Sequence, residues 1–260
     1  MRPSLVITIL LLLAAGWAAW FFREPIGRAL GRSDPAKPGG PAHPERPRPR
    51  PDDYRALIED AGRWRQDLAK RYHGANDADG RDKVLDETRG FLETLIPSMM
   101  RCWLGTPWDF NGTADKPGAG KIACGYFVST VLRDCGFRVD RYLLAQQPSE
   151  NILRTFLPRQ SLVRRGGVPY DAFVTEASSM ERGIYIIGLD THVAFLVVNG
   201  GSFRFIHSSG SQPWCVVEEG PDEAAVLRSS NCRILGNLSA DRKVLANWLL
   251  NEPIKVSGAR

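Results

Sequence analysis

Cysteine is sparse in this 260-residue chain. The five residues Cys102, Cys124, Cys135, Cys215 and Cys232 include no CxxC pair, which leaves a zinc ribbon or a thioredoxin-type motif without support. An excess of one charge is also missing from most of the chain. Residues 1–51 carry eight basic and three acidic side chains, which accounts for the whole net charge of +5, and the remaining 26 of 34 basic and 26 of 29 acidic residues cancel. A neutral globular part argues against a nucleic-acid-binding domain, so no nucleic acid is expected as a partner. No internal repeat is visible either.

What is present begins with an apolar run, Leu5 to Phe22, free of charge and broken only by Thr8 and Gly16. As a helix it spans about 27 Å, close to the hydrocarbon thickness of a bilayer. A transmembrane anchor and a cleaved signal peptide are both open readings. The length, the aromatic cluster Trp17, Trp20, Phe21 and Phe22, and the lack of a small-x-small site after it favour the anchor, a single-pass segment over residues 1–22. Arg23, Arg28, Arg32 and Lys37 follow the run, and only Arg2 and the terminal amine precede it; the positive-inside rule read literally then keeps the domain cytoplasmic. Residues 23–52 are a Pro/Arg-rich linker ending in Pro47-Arg48-Pro49-Arg50-Pro51. Such a stretch tends to extended polyproline II and suits a spacer, with arginines able to touch anionic lipid heads.

Helical spacing starts at Tyr54. Leu57, Ile58, Ala61, Trp64, Leu68 and Tyr72 form one apolar stripe, which Gly74 to Gly80 interrupts. A second helix places Val84, Leu85, Phe91, Leu92, Leu95, Ile96, Met99 and Trp103 inward, with a bend expected near Pro97. These two helices make residues 53–104 a helical N-terminal extension, and 105–260 the functional domain. Packing against that domain explains the stripes better than a partner face does. Gly105 to Gly120 reads as loop, Ala123 to Cys135 as a helix closed by Gly136, and Ser149-Glu150-Asn151 as the cap of a short helix. From Gly183 the period changes to that of strands. Ile184–Leu189, His192–Val198 and Phe203–His207 are β-rich, and Asn199-Gly200-Gly201 joins the last two as a hairpin. Trp214–Glu218 and Arg233–Leu238 add strands, and Arg242–Leu250 a closing helix. Helices first and a mostly antiparallel sheet afterwards is an α+β pattern.

Chemistry concentrates in three residues. Cys124 follows a glycine-rich loop at the start of a predicted helix, where free N–H groups and the positive helix end favour a thiolate and a lowered pKa. Ala123 and Gly125 beside it leave room for a substrate carbonyl. Cys135 reads as a packing residue. His192 opens one predicted strand and His207 ends the next, so a short turn between them brings the rings within hydrogen-bonding range. Taken alone, a histidine at a strand edge is most often a half-buried polar residue. A base with a partner that orients it is what a cysteine nucleophile needs. His43 in the linker and His73 at a helix end look incidental. A metal site from His192, His207 and Asp190 lacks further ligands, and neither metal nor cofactor is expected.

The order Gly105-Thr106-Pro107-Trp108, then Cys124 at a helix start, then His192-Val193 on one strand and Ile206-His207 at the end of the next, resembles the NlpC/P60 cysteine peptidases over residues 103–218. The resemblance implies a papain-like fold, Cys124 as nucleophile, His192 as base and His207 as the residue that orients it. It implies an oxyanion held by backbone N–H groups near Cys124 and Gly125, with Trp108 standing where the family has a tyrosine. The family's Asp-Cys-Ser-Gly is Ala123-Cys124-Gly125-Tyr126 here, and its Pro-Gly-Asp before the sheet is represented by Glu181-Arg182-Gly183. The implied reaction is hydrolysis of a peptide amide, with peptidoglycan stem peptides as substrate and the domain on the periplasmic or extracytoplasmic side of the cell membrane. Acyl transfer, or a non-catalytic tethered binding module on the same fold, are the alternatives.

Overall fold

The computed structural model of the protein describes residues 47–259. The expected anchor and most of the linker lie outside these residues. Among the described residues no helix is long and apolar enough to cross a membrane.

Two helices open the described chain, α1 (Pro51–Gly74) and α2 (Ala78–Cys102). The first begins earlier than the apolar spacing implied. Pro51 fits the first helical position, where its missing N–H is not needed, so the last residues of the expected linker are helical. The turn between the helices is shorter than expected, because Asp77 caps α2 by accepting from the Gly80 N–H at 2.7 Å. Pro97 lies inside α2, which runs unbroken through it. The stripe on α1 is buried at Tyr54, Ala61 and Leu68, whereas Trp64 stays 48% exposed while stacking on Phe91.

The next elements are α3 (Cys124–Asp134), β1 (Arg138–Val139), α4 (Arg141–Ala145), α5 (Ser149–Phe156), β2 (Val163–Gly166) and α6 (Tyr170–Ser179). Then come β3 (Gly183–Leu189), β4 (Val193–Val198), β5 (Phe203–Ser208), β6 (Val216–Glu219), α7 (Ala225–Ser229), β7 (Cys232–Asn237), α8 (Arg242–Leu249) and β8 (Pro253–Ile254). Ser149 does not cap α5 as expected. It is the first helical residue, and its hydroxyl donates to the Leu189 carbonyl at 3.4 Å. β2 and α6 had no clear sequence signal.

Six strands form one antiparallel sheet in the order β2-β7-β3-β4-β5-β6. The α+β class and the antiparallel sheet therefore stand. β3 and β4 are buried along their whole length because helices cover both faces. On one face Ile184, Ile186, Val193 and Phe195 join the core built by α1, α2, α3, α5 and α8. On the other, Tyr185, Ile187, Leu196 and Phe205 pack with Phe173 and Ala177 of α6 and Leu227 of α7. This alternation assigns each strand residue to one helical layer or the other. The α1–α2 hairpin shares the first core with the rest of the described residues.

Candidate active site

The site is assembled from four separate stretches, and backbone pairing holds three of them. Gly105 N–H donates to Val216 O and Trp108 N–H to Trp214 O, which zips the Gly-Thr-Pro-Trp segment onto the approach to β6. Ile122 N–H then donates to Pro107 O at 2.9 Å, and the buried Ser208 hydroxyl at the end of β5 donates to Ile122 O at 2.7 Å. These bonds fix the residue two before Cys124. Gly105 is required for a separate reason: its φ is +81°, and a side chain there would run into the Pro47 carbonyl.

Cys124 is the first residue of α3. Ala123 at the cap position is extended and offers no side-chain hydrogen bond, so the first-turn N–H groups are left without a cap. Gly125 is buried, and a Cβ on it would stand 2.4 Å from the Ala145 carbonyl, so glycine lets α4 close against the start of α3. The thiol is half-buried, and no disulfide joins any of the five cysteines. Its pKa is raised, against the sequence expectation. Burial is the leading cause, and it outweighs the N–H groups of Val193, Gly125 and Cys124 that favour the thiolate. Cys135 is fully buried and donates to Leu132 O, a packing residue as expected.

His192 lies one residue ahead of β4 rather than on it, in the tight β3–β4 connection where Leu189 N–H donates to His192 O. Its Nε2 is 2.9 Å from Nδ1 of His207, and the rings meet edge-on. His207, in β5, is fully buried, and its ring lies 4.3 Å from that of Phe205. Burial holds both imidazoles well below the ordinary histidine pKa, and for His192 the neighbouring ring adds to the effect. Both rings are therefore neutral near pH 7.

Cys124 and His192 line the same cleft. It opens into a cavity of about 600 Å³ walled by Trp108, Phe110 and Tyr126. A second cavity of about 280 Å³ shares Cys124 and His192 and adds Gln147, Ser149 and Asp190 to a lining of mixed polarity. No hydrogen bond joins the sulfur to the imidazole among the described residues, and neither group shifts the titration of the other. The register gives the reason. His207 shares its face with Phe205, on the α6–α7 side, whereas α3 packs through Phe127 on Phe195 of the opposite face. The N–H of Val193, next in sequence to His192, reaches the Cys124 sulfur and favours the thiolate there. The resting pair is a neutral thiol beside a neutral imidazole.

Trp108 borders the larger cavity, its ring 5.5 Å from Trp214 and close over Gly210. Asp190 is committed elsewhere: its carboxylate accepts from the N–H of Asn231 and Cys232, which removes it from any site with the two histidines. Among the described residues no group of three metal-ligating side chains occurs. His73 is exposed at the end of α1, and His43 lies outside the described residues.

One residue escaped the sequence reading. Glu219 Oε2 is 3.1 Å from Nε2 of His207, with the carboxyl side chain 17% exposed. Burial, and then the charge of Glu223, push its pKa up to about 7 against the pull of Arg204. The expected strand stopped at Glu218, one residue short. In the structure that strand runs to Glu219, and the register pairs His207 with Val217, so Glu219 lies two residues along on the same face.

Fold and site together define an α+β protein in which a thiol and one imidazole line one cleft, the imidazole backed by a second, buried one. No family model matches the sequence, and neither a curated protein nor a solved structure matches the chain.

Proposed function

We propose that the protein is a cysteine hydrolase of papain-like, NlpC/P60-type architecture that cleaves a peptide amide, with peptidoglycan stem peptides as the substrate. The observation that carries this reading is that a cysteine at a helix start and a paired histidine line one solvent-reaching cleft. Because Nε2 of His192 is taken up by His207, its Nδ1 is the nitrogen left for the thiol. The Cys124 sulfur attacks the amide carbonyl carbon as its proton passes to His192 Nδ1. The tetrahedral oxyanion is held by backbone N–H groups at the start of α3. Collapse breaks the C–N bond, and the proton on His192 leaves with the amine. Water then attacks the thioester, giving its proton to His192, and the carboxylic acid is released with Cys124 restored. Since the resting thiol is protonated, proton transfer accompanies attack rather than preceding it. Trp108 walls the cavity beside the nucleophile and positions substrate by contact. In this reading Leu5–Phe22 anchors the chain in the cell membrane, with the domain on the extracytoplasmic side.

Digestion of purified sacculi, with mass spectrometry of the released fragments, tests the proposal. New amine and carboxyl ends are expected for the full-length chain, with a loss on the order of 10²–10⁴-fold for His192→Ala and no cleavage for Cys124→Ala. One observation favours a second reading, a non-catalytic tethered binding module: the thiol has a raised pKa and is not hydrogen-bonded to His192. Binding of sacculi without cleavage, unchanged in Cys124→Ala, selects that reading. Transfer of the acyl group to an added amine instead of water selects an acyltransferase.

A further inference from the structure

The chain of contacts does not end at the second histidine. His192 Nε2 lies 2.9 Å from His207 Nδ1, and His207 Nε2 lies 3.1 Å from Glu219 Oε2. Each ring nitrogen in this line is donor or acceptor, never both, so the state of one end dictates the other. We propose that Glu219 is a positioning residue whose carboxylate sets the proton order along both histidines and so leaves Nδ1 of His192 bare toward the cleft. The inference rests on the reading of His192 as the base for Cys124.

The order follows from hydrogen-bond polarity. An ionised Glu219 only accepts, so His207 carries its proton on Nε2. His207 Nδ1 then accepts, so His192 carries its proton on Nε2 and has a lone pair on Nδ1. That lone pair is what a thiol proton needs. A protonated Glu219 that donates to His207 reverses every bond. His207 then carries its proton on Nδ1, His192 Nε2 accepts, and His192 presents an N–H to the cleft where the lone pair was. Each ring holds one proton in both arrangements. The net change is a single proton taken from solvent by the carboxyl.

The surroundings suit this role. His207 is fully buried against Phe205, so no water competes for its nitrogens, and the neutral rings can change tautomer without carrying charge. The groups facing Glu219 are His207 and Arg204 on β5, Glu223 after β6, and Tyr170 on α6, whose hydroxyl donates to Pro221 O. Burial and Glu223 bring the carboxyl's titration to about pH 7, so the reversal falls where the enzyme would work.

The test is tautomer assignment by long-range proton–nitrogen NMR on the full-length chain labelled at histidine, from about pH 5.5 to about pH 8.5. His192→Gln identifies the His192 signals. In the natural sequence both rings are expected as Nε2–H tautomers at the alkaline end and as Nδ1–H tautomers at the acid end, with one shared midpoint. Glu219→Gln, which donates and accepts at every pH, should abolish that midpoint, and Glu219→Asp should retain one. Tautomers that stay fixed across the range in the natural sequence overturn the proposal, as does a Glu219→Gln protein that switches like its parent. Switching without any cleavage of sacculi would support this proton order while counting against the hydrolase reading.

Discussion

At the scale of single residues, the decisive quantity is the ionisation of Cys124. A helix start favours a thiolate by a fraction of a kcal/mol to about 2 kcal/mol, whereas removing an anion from water costs several kcal/mol unless partners compensate. Burial is the larger effect here, and the pKa is raised. Alkylation by iodoacetamide is therefore expected to accelerate with pH through and beyond the ordinary cysteine range, with no plateau below neutrality. At neutral pH it should run slower at Cys124 than at a cysteine in the denatured chain. A reactive plateau on the acid side would show a preformed ion pair and sink this account. Gly125 offers a steric test. Gly125→Ala sets a methyl group against the Ala145 carbonyl, with backbone on both sides and no flexible side chain to yield. A loss of about 1–3 kcal/mol in urea denaturation is expected, with α4 displaced from the start of α3.

At the scale of elements, the nucleophile is placed by a clasp rather than by its own helix. The Gly-Thr-Pro-Trp segment is held by the stretch before β6, and the Ser208 hydroxyl ties β5 to Ile122. Ser208→Ala leaves a buried carbonyl without that donor, which costs about 1–3 kcal/mol. The distinguishing readout is local. Amide hydrogen exchange should quicken at Ala123 to Phe127 more than in β3 or β4, whereas uniform acceleration would mean the bond supports the fold and not the site. Across the sheet, Arg101 reaches from α2 to Glu218 through two hydrogen bonds of 2.9 and 2.7 Å, so β6 is held by a helix as well as by β5. That bracing keeps the carboxyl of Glu219, one residue further along, within reach of His207.

At the scale of the whole molecule, the buried imidazoles link folding to pH. Both have folded pKa values of about 3 against an ordinary 6.5. The unfolded chain therefore binds protons between those values that the folded chain does not. Their stabilising effect is complete above about pH 6.5 and is lost as pH falls toward 3. Glu219 acts the other way. Its folded pKa of about 7 exceeds the ordinary 4.5, so its effect is complete below about pH 4.5 and is lost as pH rises to 7. Between pH 4.5 and 6.5 two histidines outweigh one carboxyl, and stability should rise with pH. Glu219→Gln removes the opposing group and should steepen that rise by up to about 1.4 kcal/mol per pH unit. Urea midpoints across this range check both signs, and a flat profile in the natural sequence would contradict the burial of the two rings.

Local pattern sufficed for much of this molecule. The apolar spacing of α1 and α2, the strand runs from Gly183 onward and the Asn-Gly-Gly hairpin are short-range signals, and they determined the α+β class. They also made Cys124, His192 and His207 visible, because a cysteine after a glycine-rich loop and two histidines flanking a hairpin can be recognised from neighbours alone. β2 and α6 were not legible, since Arg164 and Arg165 interrupt one and Pro169 is the main local mark of the other. What only the tertiary structure decided depends on contacts distant in sequence. Desolvation of Cys124 comes from α4 and the β4 edge, the face carrying the imidazoles comes from the register of β4 with β5, and Glu219 reaches His207 only through pairing of β5 with β6. A sequence states which groups exist and what lies beside them; dielectric surroundings and hydrogen-bond partners are fixed when separate segments pack, and those set whether a thiol is charged and where a proton rests.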